Sequence, residues 1–339
     1  MILIHKIFWV YNMKVMVTGG AGFIGSHLVD KLVANGDEIT VIDNFSTGRN
    51  ENLKNTQKEI EIIEGDLSDL NQLKDLVKGK QLIFHLAALA DIVPSIQNPK
   101  QYFKANVCGT LNLLQACVDQ NISKFVYAAS SSCYGIPQVY PTPETANIST
   151  EYPYALTKRL GEELVLHWAN VYNIPAISLR LFNVYGPRSR TSGTYGAVFG
   201  VFLAQKLAKE PFTIVGDGTQ TRDFTFVSDV VDAMFIASLS KVKNEVFNVG
   251  SGKTVSVNHI VKLLKGNCVF IPERPGEPKV TFADIEKIKQ QLNWSPKISI
   301  EDGIDILLNN IKYWENAPVW TPKTISEATK DWFRYLEKN

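Results

Sequence analysis

Short β-branched runs alternate with longer amphipathic stretches through the first half of the chain, the pattern of repeated βα units around a parallel sheet. The runs predict strands at Lys14–Thr18, Glu38–Asp43, Ile60–Glu64, Leu82–His85, Phe125–Ser130 and Ile177–Phe182. Two long helices stand out between them. In one, Phe103, Val107, Leu111, Leu114 and Val118 fall on one face; in the other, Leu160, Leu164, Trp168 and Tyr172 repeat every fourth residue. Both rows are expected to pack on one side. After Phe182 the pattern gives way to loops at Gly186-Pro187-Arg188, Gly216-Asp217-Gly218 and Pro272-Glu273-Arg274-Pro275-Gly276, broken by a return strand near Val246–Val249. The expected class is therefore α/β, a doubly wound parallel sheet with a smaller mixed α/β lobe toward the C-terminus. The charged stretch from about Thr324 to Asn339 reads as a helical tail with no function attached to it.

Composition narrows the partners. A chain of 339 residues that is 45% hydrophobic can bury a sizeable core beside a second, smaller unit. Its 35 Lys+Arg and 34 Asp+Glu nearly cancel to +1, so it has no broad electrostatic footprint for nucleic acid or an acidic membrane surface. Any phosphate must be caught locally. Cys108, Cys117, Cys133 and Cys268 form no C-x-x-C pair and no spacing with His that suggests a metal site; free thiols in a reducing cytosol fit best, and a cytoplasmic location is expected. No segment reaches the ~20 apolar residues of a spanning helix. Residues 1–12 read as an appended or alternative start.

Thr18-Gly19-Gly20-Ala21-Gly22-Phe23-Ile24-Gly25 joins the first strand to a helix, placing glycines at 19, 22 and 25. Glycine lets the backbone turn sharply and approach a pyrophosphate, while the helix N-terminus beginning near Phe23 and Ile24 supplies free N–H groups. Asp43 ends the second strand, where its carboxylate can accept from both ribose hydroxyls of an adenosine and repel a 2′-phosphate, which favours NAD over NADP. Arg49, in the following Asn44-Phe45-Ser46-Thr47-Gly48-Arg49, offsets some of that repulsion. Asn44, Ser46, Thr47 and Gly48 are expected to border the adenosine, and Asp66 and Leu67, after the third strand, to flank adenine. The sheet is accordingly read as Rossmann-type, with the dinucleotide domain over 13–182 plus 222–250 and a second lobe over 183–221 plus 251–339.

Tyr154 and Lys158 share a helix face, and an ammonium beside a phenol favours the phenolate. A Tyr lowered from its usual ~10 toward neutrality can take a proton from a sugar hydroxyl while hydride leaves the same carbon. The run Ser130-Ser131-Ser132 ends the fifth strand and is followed by Cys133-Tyr134-Gly135. In a doubly wound sheet, ligands collect at the carboxyl ends of the strands, so this hydroxyl run and the Tyr/Lys helix can converge on one substrate.

Thr18 to Gly25, His85-Leu86-Ala87-Ala88, Ser130 to Gly135 and Tyr154 to Lys158 together resemble the extended short-chain dehydrogenase/reductase family, in particular its nucleotide-sugar epimerases and dehydratases. The resemblance runs from Met13 to about Leu308. It implies bound NAD, touched also by Leu86, Ala87, Ala88, Tyr154 and Lys158, and a C-terminal lobe for the nucleotide sugar. It further implies a homodimer through the helices near 100–118 and 153–172. By the same resemblance Ser130 bonds the reacting sugar oxygen, Tyr154 is the general base and Lys158 its partner on the nicotinamide ribose. Asn183, with Arg222 and Arg274, is expected at the substrate phosphates. Ser131 and Ser132 stand where sugar 4,6-dehydratases have an Asp-Glu pair and decarboxylases keep the Glu, which leaves oxidation and reduction at C4. The expected activity is 4-epimerisation of UDP-glucose, UDP-N-acetylglucosamine or UDP-glucuronate, with cell-surface polysaccharide precursors as the natural pathway. Arg188 and Arg190 are candidates for a uronate carboxylate or for the phosphates. A dehydratase or decarboxylase, a keto-sugar reductase and a non-catalytic dinucleotide sensor are the alternatives, and no metal is expected.

Overall fold

The computed structural model describes residues 12–68, 70–189 and 198–337. Most of the predicted extension, residues 1–11, lies outside them, as does Arg190. In chain order the first half contains β1 (Lys14–Thr18), α1 (Phe23–Asn35), β2 (Glu38–Asp43), β3 (Glu61–Glu64), α2 (Leu70–Val77), β4 (Leu82–His85), α3 (Ile92–Gln97), α4 (Pro99–Phe103), α5 (Gly109–Cys117), β5 (Lys124–Ser130), α6 (Pro153–Val171) and β6 (Ala176–Leu181). The second half adds β7 (Val184–Tyr185), α7 (Val198–Ala208), β8 (Phe212–Val215), β9 (Thr221–Arg222), β10 (Thr225–Phe226), α8 (Val227–Leu239), β11 (Glu245–Val249), β12 (Val255–Ser256), α9 (Val257–Leu264), β13 (Cys268–Ile271), α10 (Glu286–Leu292) and α11 (Ile300–Asn309). The predicted tail is two short helices, α12 (Pro322–Ala328) and α13 (Lys330–Leu336).

Seven parallel strands form the central sheet in the order β11-β6-β5-β4-β1-β2-β3. Strand order reverses beside β1, which pairs with both β2 and β4, and this opens a crevice at the carboxyl ends of the strands. Both faces of the sheet are covered. Along β5, Val126 and Ala128 enter one core cluster while Phe125, Tyr127 and Ala129 enter the other. That is why the strands read as continuous apolar runs rather than alternating ones. Burying side chains such as Phe84 and Phe125 completely stabilises the fold by about 1.5–3 kcal/mol each. The remaining strands form three two-stranded pieces, β10 with β7, β12 with β9 and β13 with β8. Among the described residues, no helix is long and apolar enough to cross a membrane.

The two long helices depart from their predicted faces. The first is interrupted at Lys104–Cys108 by a π turn, and Phe103, expected in the packed row, is 46% exposed. The extra residue in the turn rotates the row and directs Asn106 inward. Its side chain accepts from Leu89 N–H at 2.8 Å and donates to Leu89 O at 2.9 Å and Thr157 Oγ1 at 3.0 Å. Along α6 the buried row is Lys158, Glu162, Val165 and Ala169, not Leu160 to Tyr172. Leu164 and Trp168 pack at its margin, and Tyr172 is exposed. Hydrophobicity marks only the flank of this helix because its inward face carries a lysine and a glutamate.

Candidate active site

The dinucleotide end is shaped by close backbone approach. Gly19 takes φ +71°, and a Cβ there would stand 2.7 Å from Ala87 N. A Cβ on Gly25 would stand 2.2 Å from Gly19 O. Gly22 caps α1 without a side chain, and the first turn contains no acidic residue, so the positive end of the helix is unopposed within it. At the end of β2, Asp43 accepts from Ala21 N–H at 3.0 Å and from Phe45 N–H at 2.9 Å. Burial pushes its carboxyl up, and these two N–H groups pull it back. Gly48 passes so close that a Cβ there would lie 2.8 and 2.9 Å from the Asp43 oxygens. Only glycine lets the loop pass this close to a carboxylate, whose charge suits a ribose with two free hydroxyls and opposes a 2′-phosphate, so these residues fit NAD. Asn44 accepts from Ser46 and donates to Asp66, whose carboxyl the Ser68 N–H holds below the usual range. Arg49 lies against the Tyr313 ring at 5.5 Å, with Nη1 3.4 Å from its hydroxyl.

A cavity of about 550 Å³ opens beside the glycine loop. It brings Phe23, Ile24, Leu86 and Ala88 to one end and Ser130, Ser131, Ser132, Tyr154 and Lys158 to its floor. Asn183, Arg222 and Arg274 line it as well. Asn183 accepts from Thr281 Oγ1 at 2.7 Å. Arg222 and Arg274 share Glu277, at 2.8 and 3.6 Å. Arg188 is absent from this lining: its backbone is left-handed (φ +64°) and its guanidinium pairs with Asp30 of α1 at 2.7 Å.

At the floor, Ser130 Oγ lies 2.8 Å from Ser132 Oγ and hydrogen-bonds the Tyr154 phenol. The expected lowering of Tyr154 does not occur. Burial pushes this phenol up, the Ser130 hydrogen bond pulls it down, and the Asp91 carboxylate raises it further. Lys158 is itself buried: desolvation brings its ammonium down to about 7, against the opposing field of Glu162. Its Nζ lies over the Tyr127 ring at 4.3 Å. In a dry pocket a lysine loses much of the charge that would have stabilised a phenolate. His85 is bracketed by Thr18 Oγ1 at 2.7 Å and Thr110 Oγ1 at 2.8 Å, and burial lowers it to about 3.

Several residues here escaped sequence reasoning. Tyr152 lies parallel to Tyr154, with ring centroids 6.4 Å apart and planes 7° apart, and bonds the Ser132 side chain. Its signal was the Tyr-Pro-Tyr at the start of α6. Asp91 lines the cavity from the loop after β4. Beneath the floor, Glu162 holds Arg180 at 2.7 Å and accepts from Ser178 at 2.9 Å, which keeps its carboxyl below the usual range despite burial. Trp332 of α13 closes one wall, and nothing in the tail's pattern announced it.

Comparison with known proteins agrees with this geometry. The family described as NAD dependent epimerase/dehydratase matches residues 15–250. A UDP-glucose 4-epimerase of Mycolicibacterium smegmatis is 35% identical over 302 residues, covering 86% of this chain and 96% of that relative. UDP-glucuronic acid decarboxylase 1 of Arabidopsis thaliana is 35% identical over 314 residues, covering 89% of this chain and 70% of that relative. The crystal structure of UDP-glucuronic acid 4-epimerase from Bacillus cereus, in complex with UDP-glucuronic acid and NAD, superposes with a TM-score of 0.83 at 33% identity, covering 88% of this chain and 99% of that one. The chain thus belongs to the NAD-dependent epimerase/dehydratase family, on a Rossmann-type fold and with NAD as the family's cofactor.

Proposed function

We propose that this enzyme is a 4-epimerase of a UDP-activated hexose, with UDP-glucose, UDP-N-acetylglucosamine and UDP-glucuronate as candidate substrates. The observation that carries this reading is the state of Ser132. It occupies the place where lyases of the family have a catalytic glutamate, and its hydroxyl is engaged by Ser130 at 2.8 Å and by Tyr152. A site without that carboxylate is suited to exchanging hydride and proton at C4 alone.

Bound NAD would supply a reversible hydride acceptor for C4. Gly19, Gly22, Phe23, Ile24 and Gly25 would hold its pyrophosphate, and Asp43 its adenosine ribose. Tyr154 removes the proton from the C4 hydroxyl while Ser130 holds that oxygen, and Lys158 orients the nicotinamide ribose. Asn183 and Arg274, from the lobe formed by 183–221 plus 251–339, anchor the diphosphate together with Arg222 at its boundary. That fixed hold keeps the oxidised sugar from escaping while it turns over.

The second reading is a lyase. The decarboxylase relative and the Asp91 carboxylate beside Tyr154 favour it. A homodimer through α4, α5 and α6 is supported by the exposed apolar side chains Phe103, Leu156, Val171 and Tyr172 on or beside these helices.

The deciding experiment supplies each UDP-sugar with NAD and follows the anomeric and C4 protons by NMR. The galacto isomer is expected to accumulate without net NADH. A 4-keto or pentose product would replace this reading with the lyase.

A further inference from the structure

The tail helix α13 does more than end the chain. Trp332 is 4% exposed, and its Nε1 donates to Pro275 O at 2.7 Å, fixing the loop that carries Arg274. The Arg274 guanidinium lies over the indole, 5.4 Å from its centroid. The indole also meets Tyr152 at 6.4 Å, and Tyr152 stacks on Tyr154. Asp331, the neighbouring residue, accepts from Gln97 of α3 at 2.9 Å. One side chain therefore touches both the arginine at the phosphate end of the cavity and the aromatic pair at its sugar end.

We propose that Trp332 is a positioning residue for the nucleotide sugar: α13 is a wall of the substrate site, and its indole holds Arg274 and Tyr152 in register across the cavity. An aromatic face pre-orients a guanidinium without neutralising it, and Glu277 is one carboxylate between two arginines, so Arg222 and Arg274 together keep a net positive charge for a diphosphate while Arg274 loses the freedom to swing into solvent. The ring of Tyr152, braced by the indole, sets how far the sugar can extend beyond Tyr154. The inference rests on the reading of this cavity as a nucleotide-sugar site.

The test compares wild type with Trp332→Ala, Trp332→Phe, Arg274→Ala and the double variant Trp332→Ala/Arg274→Ala. Each is assayed for turnover of the preferred UDP-sugar and, by calorimetry, for binding of UDP alone. Trp332→Ala is expected to raise KM and weaken UDP binding by about tenfold, with kcat within about twofold of wild type. Trp332→Phe keeps a ring under Arg274 but loses the bond to Pro275, and should fall between the two. The double variant should bind UDP no worse than Arg274→Ala, because the indole acts through the arginine. Wild-type KM in Trp332→Phe and Trp332→Ala, or full additivity with Arg274→Ala, overturns the proposal while leaving the proposed activity standing. If Trp332→Ala does not fold, Trp332→Phe decides alone. Failure of wild type to bind UDP or any UDP-sugar removes the functional reading, and this inference with it.

Discussion

The Lys158 ammonium lies 4.3 Å from the centre of the Tyr127 ring, in a pocket that leaves the lysine 5% exposed. Burial lowers its pKa from 10.5 to about 7. The unfolded chain therefore binds more protons than the folded one between about pH 7 and 10, and stability should rise with pH across that window. The slope attributable to this one group is at most about 1.4 kcal/mol per pH unit. Urea unfolding of ligand-free wild type and Lys158→Met at pH 7 and 9 measures it: the wild type should gain stability relative to the variant. An unchanged difference would assign the titration elsewhere.

Tyr154→Phe removes the phenol but keeps the ring parallel to Tyr152. Turnover should fall by about 10²–10⁴, the usual weight of a positioned acid–base group, while calorimetric binding of UDP stays near wild type. Near-normal turnover would reject Tyr154 as the base.

Asp43→Asn keeps one of the two acceptors that bond Ala21 and Phe45 N–H, sets an amide NH2 at the other, and removes the charge. Discrimination against NADP should shrink by about tenfold or more, since a 2′-phosphate no longer meets a carboxylate. Fluorescence titration with both cofactors reads the ratio directly, and an unaltered ratio would mean that another group excludes the phosphate.

Gly25→Ala would place a Cβ 2.2 Å from Gly19 O, a backbone atom that cannot step aside. The cradle must deform, at a cost of about 1–3 kcal/mol, and NAD should no longer raise the melting temperature. A variant that melts and responds to NAD like wild type would show that the loop tolerates the shift.

The sheet was legible because β1, β2 and β4 are short apolar runs at the predicted positions, buried on both sides. The glycine loop, and the convergence of Ser130, Tyr154 and Lys158 on one cavity, were legible from a strand-to-helix turn, a strand-end position and an i,i+4 helix spacing. What stayed hidden depends on partners far along the chain. Glu162 faces inward only because Arg180 of β6 meets it there. The π turn answers to Asn106 reaching Leu89 and Thr157. Trp332 belongs to the cavity because Pro275 and Tyr152 receive it, and no periodicity in a two-turn helix records that.

The edge of the central sheet bears on how such enzymes can be recombined. β11 lies against β6 in a parallel ladder from Glu245↔Ile177 to Val249↔Leu181, although most of the small paired strands intervene between them in the chain. A segment transplanted from a relative therefore needs two splice points, one after Leu181 and one before Glu245, at opposite ends of the same hydrogen-bonded ladder, since Leu181 pairs with Val249 and Glu245 with Ile177. The seams are offset by the length of that ladder, ~13 Å along the strands at ~3.3 Å per residue, as well as by the ~4.8 Å spacing between neighbouring strands. Chimeras that respect that offset exchange the segment without asking the sheet to find a new edge.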